Sequence, residues 1–214
     1  RQLREIANGM ALDEFSGDFH QEALLNFTVA IDSAAPWTNI VDGWGRMFLP
    51  GLTNPLNWIG KSVSVFLDSG TIWQEAQAAE NKPRFLESRY QEIPVGIFIE
   101  VRDSLKLTAV LAAVRSFVEQ GSPGMTVWQS QSHAGVPYVK VQQAISPVAA
   151  ARKEQRPPWA VYYAATPEAL IITLREEVLK AAIGRLKDRT SDAAKAARTF
   201  AVGSQLALVA SKEL

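Results

Sequence analysis

The residues able to do chemistry in this chain are few. There is no cysteine and only two histidines, His20 and His133, which removes disulfides, thiolate zinc sites and cysteine nucleophiles together. His20 belongs to a polar cluster, Asp13, Glu14, Asp18, His20 and Glu22, whose oxygens and imidazole are of the right types for a cation. A calcium loop needs alternating oxygen ligands around a sharp glycine turn, closed by a bidentate acid. The spacing does not fit, and the cluster reads as a solvated loop. His133 stands beside Ser130, Ser132 and Gly135. A serine hydrolase needs a serine presented to a histidine that a carboxylate orients; no Gly-x-Ser-x-Gly elbow exists, and His133 reads as a surface-turn residue. Glu100 and Asp103 fall at a strand end, where acids often act, but helix capping already explains Asp103.

Two shorter matches fail on context. Gly60-Lys61-Ser62 has the tail of a phosphate-binding loop, but Pro55 stands where the first glycine belongs, and a strand follows where a helix should. Asn26-Phe27-Thr28 fits the glycan acceptor pattern within an expected strand. No catalytic site, metal or cofactor is therefore expected. The stretch with the most unusual composition is Pro36–Ile59, which gathers Trp37, Trp44, Trp58, Met47, Phe48 and Leu49 among glycines, prolines and asparagines. Tryptophan combines a large apolar body with one polar handle and suits interfaces and ligand pockets. Trp37, Trp44 and Trp58 are the candidate contacts for a ligand or partner; capping of the sheet and closure of the core is the other reading of the same stretch.

The 214 residues hold 22 basic and 22 acidic side chains. With no basic excess or stripe to neutralise phosphates, nucleic acid is not an expected partner. A hydrophobic share of 47% supports a real core, and no segment reaches the ~18 apolar residues that span a bilayer. The arginine start, without methionine, suggests a chain excised from a longer polypeptide.

Elements able to position these residues follow from periodicity. Period-two patterns predict strands over 23–31, 61–68, 93–102, 125–131, 136–143, 159–165, 169–174 and 205–210. The first is expected to bury one face, and 93–102 to be central. A short helix is expected over 71–79. Leu107, Val110, Leu111, Val114, Phe117 and Val118 form a stripe at helical period after Asp103. Val178, Leu179, Ala182, Ile183 and Leu186 form another over 175–188, and a short alanine-rich helix spans 192–200. The turn between the fourth and fifth strands is expected over Ser132–Gly135. Adjacent strand pairs outnumber strand–helix alternations, which predicts an α+β fold, a mostly antiparallel sheet with helices on one face. The main part is expected over 1–143, with a possible linker at 144–157 and a hairpin-helix-helix-strand part at 158–214 packed on the same domain. Strand-Asp103-helix and strand-Arg175-helix echo each other and raise the question of a duplicated unit.

Trp159–Ile183, a hairpin leading to a helix with an acidic start, resembles a pattern in large uncharacterised exported proteins of the bacterial cell envelope. Asn57–Asp68 is similar to another strand of those proteins. The resemblance implies an envelope or periplasmic location with no known chemistry. Together the readings point to a non-enzymatic domain acting through protein or ligand contacts. A carrier of an apolar ligand or lipid is the alternative, and an enzyme the third.

Overall fold

The computed structural model describes residues 11–13, 16–20, 23–31, 43, 56–144 and 159–211. Its strands are β1 (Ala23–Ala30), β2 (Ile59–Asp68), β3 (Val95–Val101), β4 (Thr126–His133), β5 (Val136–Gln143), β6 (Ala160–Ala165), β7 (Ala169–Thr173) and β8 (Leu206–Ala210). They form one eight-stranded sheet in the order β4-β5-β6-β7-β3-β2-β1-β8. Every neighbouring pair is antiparallel. The described α-helices with both ends in place are α1 (Thr71–Ala78), α2 (Lys82–Ser88), α3 (Ser104–Gly121), α4 (Glu176–Lys187) and α5 (Asp192–Arg198). The chain is thus α+β, as its patterning predicts. Two meanders, β1-β2-β3 and β4-β5-β6-β7, meet where β3 pairs with β7, so β3 is central. Residues 145–158, most of the expected linker, lie outside the described residues, and the strands flanking them pair with each other.

Local chemistry accounts for most boundaries. The Asp103 carboxylate accepts from the Lys106 amide at 3.0 Å and starts α3, as expected of a cap. Asn81 does the same for Arg84 at 3.0 Å and, with Pro83 in the first turn, starts α2, which periodicity alone does not reveal. The β4–β5 turn is tighter than expected. Ala134 and Gly135 have φ of 50° and 79°, the left-handed pair of a two-residue hairpin loop that matches strand twist, so Ser132 and His133 belong to β4.

The helices, expected on one face, cover both. In β7, Ile171 faces α4, packing with Phe66, Phe98, Leu179 and Ile183, whereas its neighbour Leu170 packs with Leu107, Val101 and Trp58 on the α3 side. Successive strand residues point to opposite faces, so the two long helices sandwich the sheet centre. A twofold relating two copies of one unit across the β3–β7 pair would put both helices on the same side. The strand-then-helix echo is therefore local.

The α4 stripe is buried as its period predicts: Val178, Leu179, Ala182, Ile183 and Leu186 all face the sheet. Glu176 and Glu177 at its first turn and Arg185 and Lys187 at its last complement the helix dipole. The α3 stripe is buried only at its start. Leu107 is buried and Val110 and Leu111 pack beside it, but Val114 and Phe117 remain 38% and 49% exposed. Helical period marks a stripe; it does not say that the sheet extends beneath all of it.

Candidate functional site

The β8-β1-β2 side of the sheet buries polar groups in the middle of its covered face. On the face it shares with α4, β1 and β2 bury Asn26, Thr28, Ser62 and Ser64, none more than 1% exposed, between the apolar Leu24, Ala30 and Phe66, and Ala30 packs with Leu12, Phe19 and Ala207. The apolar partners of the same alternation point the other way. There, three cross-strand rows run Leu206–Val29–Val63–Ile99, Leu208–Phe27–Val65–Ile97 and Ala210–Leu25–Leu67–Val95. Phe27 and Val65 are each 38% exposed, and Leu206 and Leu208 52% and 59%.

The polar side is explained by what covers it. Residues 11–13 and 16–20 cross it as irregular chain, whose amides and carbonyls have no ladder to join and must be satisfied locally. Asn26 donates its side-chain N–H to the Asp18 carbonyl at 2.7 Å, and the Thr28 hydroxyl donates to Asn26 Oδ1 at 2.9 Å. Thr28 and Ser64 hydroxyls meet at 2.5 Å, and Ser62 donates to Glu100 Oε2 at 3.0 Å. Gly17, at φ 79°, lies so close to these hydroxyls that a Cβ would stand 2.8 Å from both Thr28 and Ser64. A left-handed residue in close approach needs glycine here.

Charged groups from the far end of the chain close the cluster. The Arg185 guanidinium donates to both Asp18 oxygens, at 2.8 to 3.2 Å, and stacks 5.2 Å over the Phe66 ring. Arg189, one helical turn on, stacks 5.1 Å over Phe98; its burial pulls the guanidinium below its usual range, opposed first by Glu100. His20 Nδ1 faces the Asp18 carbonyl at 2.9 Å and Nε2 faces Asp68 Oδ1 at 2.7 Å. Both ring nitrogens face oxygens within the fold.

This arrangement corrects the expectation of a solvated acidic loop. Asp18 is 8% exposed and ion-paired, and His20 is held in the fold; Glu14 and Glu22 lie outside the described residues. Asn26 is 1% exposed and not placed as a glycan acceptor. Gly60-Lys61-Ser62 is the start of β2, as its context suggests. Among the described residues no group of three or more His, Asp or Glu side chains is disposed to hold a metal ion. None of the described helices is long and apolar enough to cross a membrane.

Of the three candidate tryptophans, Trp37 and Trp44 lie outside the described residues. Trp58 is 6% exposed and packs with Val101, Leu107 and Leu170 under the start of α3. Its carbonyl accepts the Arg102 amide at 2.8 Å, and its indole N–H has no hydrogen-bond partner among the described residues. The open apolar rows of β8, β1 and β2 are the feature that sequence reasoning missed. Their signal was the alternation of Leu25, Phe27 and Val29 with Asn26, Thr28 and Ala30, which names two faces without naming the inner one. Comparison of the chain with family models, curated proteins and solved structures finds no match.

Proposed function

We propose that this chain is a non-enzymatic binding domain that works by contact through the apolar rows of β8, β1 and β2. The observation that supports this is the open apolar face. A sheet that turns Phe27, Val65, Leu206 and Leu208 toward water while burying Asn26, Thr28, Ser62 and Ser64 keeps an apolar surface of the kind that marks interaction sites. Asp18 and His20 are engaged in hydrogen bonds and ion pairs on the opposite face. A protein surface is favoured over a carried lipid, because the described rows form an open plane and ligand pockets are concave. The resemblance of 159–183 and 57–68 to exported proteins supports a place in the bacterial envelope or periplasm, which fractionation of cells making the whole gene product tests.

The binding test uses anilinonaphthalene sulfonate, a dye that brightens on open apolar surface. The folded chain is expected to bind it at neutral pH, with fluorescence falling several-fold in Phe27→Lys and Val65→Lys variants that keep the native melting temperature. No dye binding by the folded chain, or binding unchanged in both variants, overturns the reading. Tighter association with phosphatidylcholine vesicles than with protein surfaces would favour the carrier.

A further inference from the structure

The outer edge of β8 carries a second surface, made of backbone. Gln205 gives its carbonyl to the Ala30 amide and Ser211 gives its amide to the Leu24 carbonyl, each at 2.8 Å. Odd-numbered residues of β8 therefore point their peptide groups at β1. In an antiparallel ladder the alternate residues point theirs the other way, so the N–H and C=O of Leu206, Leu208 and Ala210 face outward at the edge of the sheet.

The two edges of the sheet are treated differently. The β4 edge carries Gln129, Ser130, Gln131, Ser132 and His133, a polar strand. Neither β4 nor residues 204–211, Ser-Gln-Leu-Ala-Leu-Val-Ala-Ser, holds an acid, lysine, arginine or proline, the devices that ordinarily keep an edge from pairing, and the β8 edge alone sets exposed leucines along it. We infer that β8 pairs with β8 of a second copy of this chain, antiparallel, about a twofold axis at Leu208.

Self-complementarity argues for a second copy. The twofold sets Leu208 opposite Leu208 and Leu206 opposite Ala210, large against small, with no like charges brought together. The three outward residues of each copy then exchange roughly six backbone hydrogen bonds, two for each facing pair. The exposed leucines of both copies come side by side on one face, so the apolar rows run on across the junction. The contact is a strand edge, smaller than a standard interface, and its affinity falls in the weak, transient class.

The inference does not depend on what covers the apolar face, and the test separates the two. Sedimentation or light scattering of the 214-residue chain is run across a concentration series reaching about 100 μM, where weak interfaces assemble. Twice the monomer mass is expected at the top of the series. Leu208→Pro removes an N–H that no described residue of the same copy uses, so the monomer keeps its ladder while the dimer loses its central pair. Leu208→Lys places two charges on the axis, and Val65→Lys, on the same open face but two strands from the edge, is the control: loss of association in the Val65 variant as well would assign the contact to the face and overturn the edge. Each Leu208 variant is expected to weaken association at least about tenfold, roughly 1.4 kcal/mol, with the circular dichroism spectrum unchanged. If the proline variant unfolds, Leu208→Lys decides. A wild-type chain that stays monomeric through the series, or a dimer indifferent to Leu208→Lys, overturns the inference. Dye binding that persists in a monomeric chain leaves the face reading standing without the edge.

Discussion

The two sides of this sheet bury opposite kinds of side chain under the same layer. Beneath α4, Phe98, Ala164, Ile171 and their neighbours meet Leu179 and Ile183, apolar on both sides. Beneath residues 16–20, Asn26, Thr28, Ser62 and Ser64 meet backbone and charge, with Leu12 and Phe19 packing on Ala30 and Ala207 at the margin. A helix satisfies its own peptide groups and asks the sheet only for apolar surface. Irregular chain brings unsatisfied groups and asks for donors and acceptors. The cover decides the polarity of the buried face, and the opposite face of the same strands receives the apolar residues by default of alternation.

The strongest way to break this comparison is in the helical half. Leu179→Asp places a charge with no partner where exposure is 0%, and is expected to cost about 4 kcal/mol or more, read as loss of the cooperative transition in urea. Trp58→Ser follows, at about 3–5 kcal/mol, because the indole fills the space under α3. A folded Trp58→Ser variant with near-native stability would return that residue to the list of contacts for a partner.

In the irregular half, Asp18→Ala leaves Arg185 over Phe66 without its carboxylate and is expected to cost about 3 kcal/mol. Arg185→Met in the same background should recover part of it. The sharpest contrast lies between adjacent residues. Thr28→Val strands the Asn26 amide oxygen and the Ser64 hydroxyl and should cost about 1–3 kcal/mol. Phe27→Thr, on the open face, should cost less than about 1 kcal/mol. Equal costs, or the reverse order, would mean that the apolar face is the inner one after all.

The smallest effect concerns pH. Lys180 first, then the Tyr138 hydroxyl at 2.6 Å, hold the Glu176 carboxyl below its ordinary value. A depressed carboxyl contributes stability above the unfolded value, near 4.3, and loses it as pH falls through the folded one. Glu176→Gln should flatten the acid limb of a stability-against-pH curve and leave the neutral plateau close to wild type.

Where a single rule acted alone, the chain was legible. The α4 stripe, the central place of β3, the Asp103 cap and the β6–β7 hairpin follow from period, capping and turn residues read locally. The open face and the polar cluster were not legible, because alternation names two faces without saying which is covered, and the charges that seal the covered one come from far along the chain. Arg185 lies 167 positions from Asp18, and no window of sequence contains both. Val114 and Phe117 show the same limit. Their spacing is that of a core stripe, and only the extent of the sheet beneath leaves them exposed.

The pairing of β1 with β8, Leu25 beside Ala210, governs how the molecule is made. During synthesis the β1-β2-β3 meander emerges first, with the Asp18 carboxylate awaiting Arg185 and both edges open. The β7 strand that closes one edge, the arginines that seal the polar face and the β8 strand that closes the other all come from the last third of the chain. Long-range closure of this kind slows folding. It also leaves early intermediates with exposed strands prone to aggregate. Refolding should therefore run in the slow range for domains of this size, and truncations from the C-terminal side should harm the N-terminal meander as much as the region they remove.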